Sequence, residues 1–191
     1  MENAPSMLEK KHGITTPLEG IPAKPWDPTA SIAAPLRLHA PTVVPAWVDY
    51  NGHMSESCYL LVFGDNSDAF FRFIGIDESY RDQGGHSLYT VETHIHHVKE
   101  VAQGEKLRLS LQLINHDDKR VHIFHTMTHD ATGDVLATAE QMLVHVDMAQ
   151  GRSADMPSYL QDRLQAIAKA HAILPAPKNL GKPMGIRRKA T

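Results

Sequence analysis

Apolar and polar residues trade places along this chain at more than one period. Leu107, Leu109, Leu111 and Leu113 alternate with Lys106, Arg108, Ser110 and Gln112. A period of two is that of a strand with one face buried and one in water. Three more strand-like stretches surround it, at about 86–98, 119–129 and 135–147. The separators are short: Gln103-Gly104-Glu105, His116-Asp117-Asp118 and Asp130-Ala131-Thr132-Gly133-Asp134. Turns of that length join antiparallel neighbours.

The rhythm changes between Ser55 and Ile74. Tyr59, Val62, Phe63, Phe70, Phe73 and Ile74 fall on one broad helical face, with Asp65, Asp68 and Arg72 toward the other. Ser55 suits the N-cap, Glu56 suits the positive end of the helix dipole, and Gly75 stops the helix. Leu160, Leu164, Ile167 and His171 mark a terminal amphipathic helix, ended by Pro175 and Pro177. Ahead of the long helix, Leu36, Leu38 and Ala40 begin a short strand that ends near Val44, and Pro41 and Pro45 confine it to an edge. The expected order is strand, long helix, then four antiparallel strands: an α+β layout with five strands wrapped around one aromatic-rich helix.

Residues 1–35 hold six of the twelve prolines and no sustained period, which predicts an extended or disordered leader. The folded domain is expected over 36–172 and a tail over 173–191. That tail carries Lys178, Lys182, Arg187, Arg188 and Lys189 and no acidic residue.

Composition narrows the function classes. The 191 residues, 42% hydrophobic and 21% charged, suit one soluble domain. Net charge is 19 − 22 = −3, so neither a nucleic-acid nor a membrane partner is expected. No apolar run approaches the roughly 18–20 residues of a membrane span, and the start lacks a signal peptide's pattern. With Cys58 the sole cysteine, a cytoplasmic setting is expected. Thirteen histidines raise the question of metal. His94, His96 and His97 cluster, yet no His-Glu-x-x-His motif or cysteine pair accompanies them, so no metal and no cofactor is expected.

Candidate chemistry sits between the first strand and the long helix, in Trp47-Val48-Asp49-Tyr50-Asn51-Gly52-His53-Met54. A carboxylate there faces the unpaired N–H groups of a first helical turn, which can hold a thioester oxygen while Asp49 attacks or activates water. Gly52 would let the backbone approach a ligand closely. The same Asp49 and Asn51 also suit a polar turn that only caps the helix.

The segment resembles the active-site motif of hotdog-fold acyl-CoA thioesterases similar to 4-hydroxybenzoyl-CoA thioesterase. Tyr89-Thr90-Val91-Glu92-Thr93-His94-Ile95, Asp117 to His125 and Leu143-Val144-His145-Val146-Asp147 extend the likeness toward the betainyl-CoA thioesterases of carnitine breakdown. The resemblance spans about 36–164 and implies a hotdog fold, a small acyl-CoA substrate and at least a homodimer. It implies Asp49 as catalytic carboxylate, with Asn51, Gly52 and His53 around it, and an oxyanion hole from backbone amides near Ser55, Glu56 and Ser57.

Around that centre several residues have two readings. Glu92 could orient water or face a cationic acyl group with His94 beside it, or form a rim pair with a histidine. Trp47, Tyr50 and Tyr59 could offer aromatic faces to such a cation. His53 could polarise a carbonyl or satisfy turn carbonyls. Lys119 and Arg120 could hold a CoA phosphate or line a solvated hairpin. Two other functions fit the same fold: an enoyl-CoA hydratase and a non-catalytic acyl-CoA-binding module.

Overall fold

The computed structural model describes residues 16–186. Residues 1–15 of the expected leader, and Arg187, Arg188 and Lys189 of the basic tail, lie outside them.

The long helix, α1 (Glu56–Ile74), ends at Gly75, whose φ of 94° places it in the left-handed conformation that terminates helices without strain. A second helix, α2 (Glu78–Gly84), follows. It was not visible in the hydrophobic pattern, because seven residues with no buried side chain carry no period. Then come β1 (His86–His97), β2 (Leu107–His116), β3 (Arg120–His129), β4 (Val135–Asp147), the two-residue β5 (Arg152–Ser153) and α3 (Ser158–His171).

The sheet runs β1-β4-β3-β2, with β5 beside β4, and every pairing is antiparallel. The four alternating leucines of β2 are all buried, at 3% exposure or less. The expected first strand is less regular than its pattern implied. Residues 36–43 run antiparallel along β2 through isolated bridges, Leu36 with Leu111 and Thr42 with Lys106. Leu111, Leu109 and Leu107 each donate an N–H to this segment, but proline at 35, 41 and 45 leaves the ladder intermittent. The segment still covers the β2 edge. The β1 edge remains open.

One face of the sheet wraps α1. Tyr59, Val62 and Phe63 pack on Leu107, Leu109, Met127, Ala137 and Ala139. Further along, Phe70 and Ile74 meet Leu111, Leu113, Val121, Ile123 and Leu143, closed over by Leu160, Leu164 and Ile167 of α3. A polar cluster interrupts this core. The Asn66 amide donates to His125 Nδ1 at 2.8 Å, so His125 Nε2 carries the proton and donates to Gln141 Oε1 at 3.0 Å. Ser67 donates to the same Gln141 oxygen at 2.7 Å. Burial pushes the His125 imidazole down to about 4, so it is neutral near pH 7.

The described part of the leader, residues 16–35, lies along the other side of α1. Thr16 donates to Asp68 Oδ2 at 2.8 Å, and Gly20 N–H donates to Glu78 Oε1 at 3.1 Å. Arg72 ties the region together: its guanidinium binds Asp68, Glu78 and the Ile21 carbonyl. Trp26 rests edge-on against Phe73, with ring centroids 5.4 Å apart. A largely apolar cavity of about 470 Å³ remains between this strap and α1.

Candidate active site

The Trp47–Ser55 segment is a tight loop that turns back on itself before α1 starts. Pro45–Trp47 forms a short 3-10 turn. Val48 then bridges Met54, and Asp49 N–H donates to the His53 carbonyl at 3.0 Å. Gly52 N–H donates to the Asp49 carbonyl at 3.0 Å, with Gly52 at φ 82°. That backbone geometry requires glycine or strain. The loop is pinned from outside by Met54 N–H on the Val101 carbonyl, at 2.9 Å, and by a bridge from His53 to Ala102.

Inside the loop, Asp49 Oδ1 accepts the Asn51 N–H at 2.8 Å, an Asx turn that orients the carboxylate. Among the described residues, Oδ2 accepts no hydrogen bond, so one oxygen is open to a substrate or a water. Two residues, Met54 and Ser55, separate His53 from Glu56, where α1 begins.

The start of α1 is unusual for a capped helix. Ser55 is the N-cap residue but makes no side-chain cap bond. Its hydroxyl lies 3.4 Å from that of Ser57. The Ser55 N–H is committed to the Trp47 carbonyl at 2.8 Å, and Cys58 N–H turns back to the Ser55 carbonyl at 2.9 Å. Of the three expected oxyanion donors, Glu56 and Ser57 therefore have N–H groups free of intramolecular partners among the described residues. Two adjacent free N–H groups at the positive end of a helix of 19 residues can stabilise an oxyanion.

The remaining expected residues scatter. Tyr50 is 97% exposed at the loop tip, and Trp47 is half-buried against the core. Tyr59 is buried, its ring 4.9 Å from that of His97 and its hydroxyl 3.4 Å from the Lys99 carbonyl. Packing claims its ring faces within this chain. Glu92 and His94 pair at 2.9 Å on the sheet face turned away from α1. They line a cavity of about 280 Å³ with His122, Glu140, Met142 and the tail at Gly181–Pro183. Lys119 pairs with Asp155 at 3.3 Å, and Arg120 donates to Asp117 Oδ2 at 2.7 Å. Both stand at the β2–β3 turn, a strand length of about 30 Å from the link that pins the loop.

One acidic residue beside the loop was not singled out from the sequence. Glu100 Oε2 lies 3.4 Å from His53 Nδ1. It sits in the β1–β2 connection, where neither period nor motif marks it.

An antiparallel sheet wrapped around one long helix is the hotdog arrangement, and the loop that leads into this helix carries a carboxylate with one oxygen held and one open. Comparison with known proteins gives the family. The model of the thioesterase-like superfamily matches residues 43–164, and the chain belongs to that superfamily. A Rhizobium meliloti protein named L-carnitine dehydrogenase/betainyl-CoA thioesterase is 49% identical over 170 residues, 88% of this chain. The match spans only 33% of that longer relative. A Pseudomonas aeruginosa betainyl-CoA thioesterase is 43% identical over 144 residues, covering 75% of this chain and 91% of that one. A solved Pseudomonas putida KT2440 structure superposes with a TM-score of 0.72 at 35% identity, covering 81% of this chain and 98% of the other.

No helix of the described residues is long and apolar enough to cross a membrane.

Proposed function

We propose that this chain hydrolyses an acyl-CoA thioester to the free acid and CoA, with a betainyl group as the acyl moiety and Asp49 as the reacting carboxylate. The observation that carries the activity is the open Asp49 Oδ2 set before the free N–H groups of Glu56 and Ser57. The names of the relatives support the choice of acyl group.

The thioester carbonyl oxygen accepts the Glu56 and Ser57 N–H groups. In one route Asp49 takes a proton from water and the hydroxide adds to the carbonyl carbon. The tetrahedral intermediate then expels CoA thiolate, which is protonated from the Asp49 carboxyl. In the other route Asp49 adds directly, thiolate leaves, and water cleaves the resulting anhydride. A single turnover in heavy-oxygen water tests for the second: label in Asp49 marks an anhydride opened at the aspartate's own carboxyl carbon, and the first route leaves Asp49 unlabelled. Gly52 keeps the loop in register, and the Asn51 N–H fixes the carboxylate.

The working unit in this reading is a homodimer or higher homo-oligomer in the cytoplasm. Its support is the open β1 edge, twelve residues long, with Tyr89 50% and Val91 60% exposed. The unpaired Cys58 is in keeping with a reducing compartment.

The test is free-thiol release from a panel of acyl-CoAs that includes betainyl-CoA, run with wild type and Asp49→Asn. Hydrolysis by wild type and its loss in the variant support the reading. Full activity in Asp49→Asn, or no hydrolysis of any acyl-CoA by wild type, overturns it.

A further inference from the structure

Charge around the start of α1 is one-sided. Asp49 stands in the loop, Glu56 is exposed on the first turn, and Glu100 reaches in from the β1–β2 link. The neighbouring cation, Lys99, is bound to Asp134 at 2.6 Å and so does not offset them.

Glu100 is placed by its neighbours on both sides. The Lys99 carbonyl faces the Tyr59 hydroxyl at 3.4 Å. The Val101 carbonyl holds Met54 N–H, and Ala102 bridges His53. The backbone of Glu100 is therefore fixed beside the motif while its side chain is 71% exposed. The charge is also felt by Tyr59 in the core beneath it, whose buried phenol is pushed up first by burial and second by Glu100. The other carboxylate considered for this task, Glu92, is on the sheet face turned away from α1, where it pairs with His94 as Glu100 does with His53.

A quaternary ammonium has no N–H to donate, so a protein recognises it through Coulomb attraction and aromatic faces rather than hydrogen-bond geometry. A carboxylate held beside the loop, with the His53 imidazole rather than a lysine or arginine as its neighbour, meets that need. We propose that Glu100 is the specificity-determining carboxylate of this site, selecting acyl groups that carry a quaternary ammonium over neutral acyl groups of the same shape. This assignment rests on the thioester-hydrolase reading above.

The experiment compares kcat/KM for betainyl-CoA and for tert-butylacetyl-CoA, in which carbon replaces the charged nitrogen. Wild type favours the cationic substrate, and Glu100→Gln lowers that preference by about fivefold or more, the scale of a partly screened charge pair. Glu100→Asp retains most of the preference, and raising ionic strength lowers the wild-type preference toward that of Glu100→Gln. An unchanged ratio in Glu100→Gln, with wild type still hydrolysing both substrates, overturns the assignment and leaves the hydrolase reading standing. A fall in Glu92→Gln instead gives the role to Glu92 and also overturns it. Wild type inactive on every thioester removes both readings together.

Discussion

Two buried ionisable groups on α1 and the sheet oppose each other, and the balance is measurable. His125 is fully buried and its imidazole is held near 4, against 6.5 when exposed. Because its folded value is depressed, the unfolded chain takes up a proton first on acidification. Stability is then lost as pH falls from 6.5 toward 4, by about 3 kcal/mol over that span. Asp65, 5% exposed on α1, shifts the other way. Burial, and then the charge of Asp68, raise its carboxyl from 3.8 to about 6. Its folded form holds the proton more tightly, so its contribution is full below 3.8 and is lost as pH rises through 6, again by about 3 kcal/mol. Between pH 6 and 4 the two slopes nearly cancel. His39, His145 and His171, all lowered by burial, leave wild type with a modest net loss on acidification. Asp65→Asn removes the compensating slope without changing shape. Unfolding free energies from urea titrations at pH 7.5 and 4 should fall about 2–3 kcal/mol further in this variant than in wild type, with the variant the more stable protein near neutrality. Parallel pH profiles for the two proteins would refute the reasoning.

Other consequences are simpler to read. Asp49→Asn should lower kcat by roughly a hundredfold or more, the usual worth of a positioned base or nucleophile, with little change in melting temperature. Ser55→Ala should cost less than about 0.5 kcal/mol in denaturant unfolding, because its hydroxyl makes no cap bond. Gly52→Ala should destabilise by about 1 kcal/mol through backbone strain alone, since a Cβ there meets nothing within 4 Å; calorimetry would show it. Leu164→Ala, at a fully buried α3 position, should cost about 2–5 kcal/mol in the same measurement.

The periodic elements were legible because each has one wet face. The β2 leucines, the α1 aromatics and the 160, 164, 167, 171 series of α3 are all explained by burial on one side. The polar turn at Asp49 was legible too, since a turn motif before a helix is local chemistry. What pattern could not give was direction across the sheet. Glu92 and His94 fall on the outer face because of where β1 meets β4, with a register shift between Thr90 and Glu92. Tyr59 could be read as aromatic surface or as core, and only the position of β1 beside it decides. Gln141, Asn66 and His125 meet from three elements distant in sequence, so no window of sequence contains their network. Glu100 was hidden for a related reason: its partner His53 is 47 residues away, joined by a backbone bridge rather than a motif.

Arg72 gives the strap over α1 a mechanical meaning. It fastens the leader and α2 to the helix sixteen residues beyond Glu56, about 24 Å along the axis. Tension on the leader is thus delivered to the far end of a rigid rod, where the guanidinium and its two carboxylates absorb it. The pair of N–H groups at the near end is insulated by four turns of helix and the packing beneath them. A reporter attached to the described strap at Thr16, which is bound to Asp68, is therefore separated from the geometry at Asp49 by most of the length of α1.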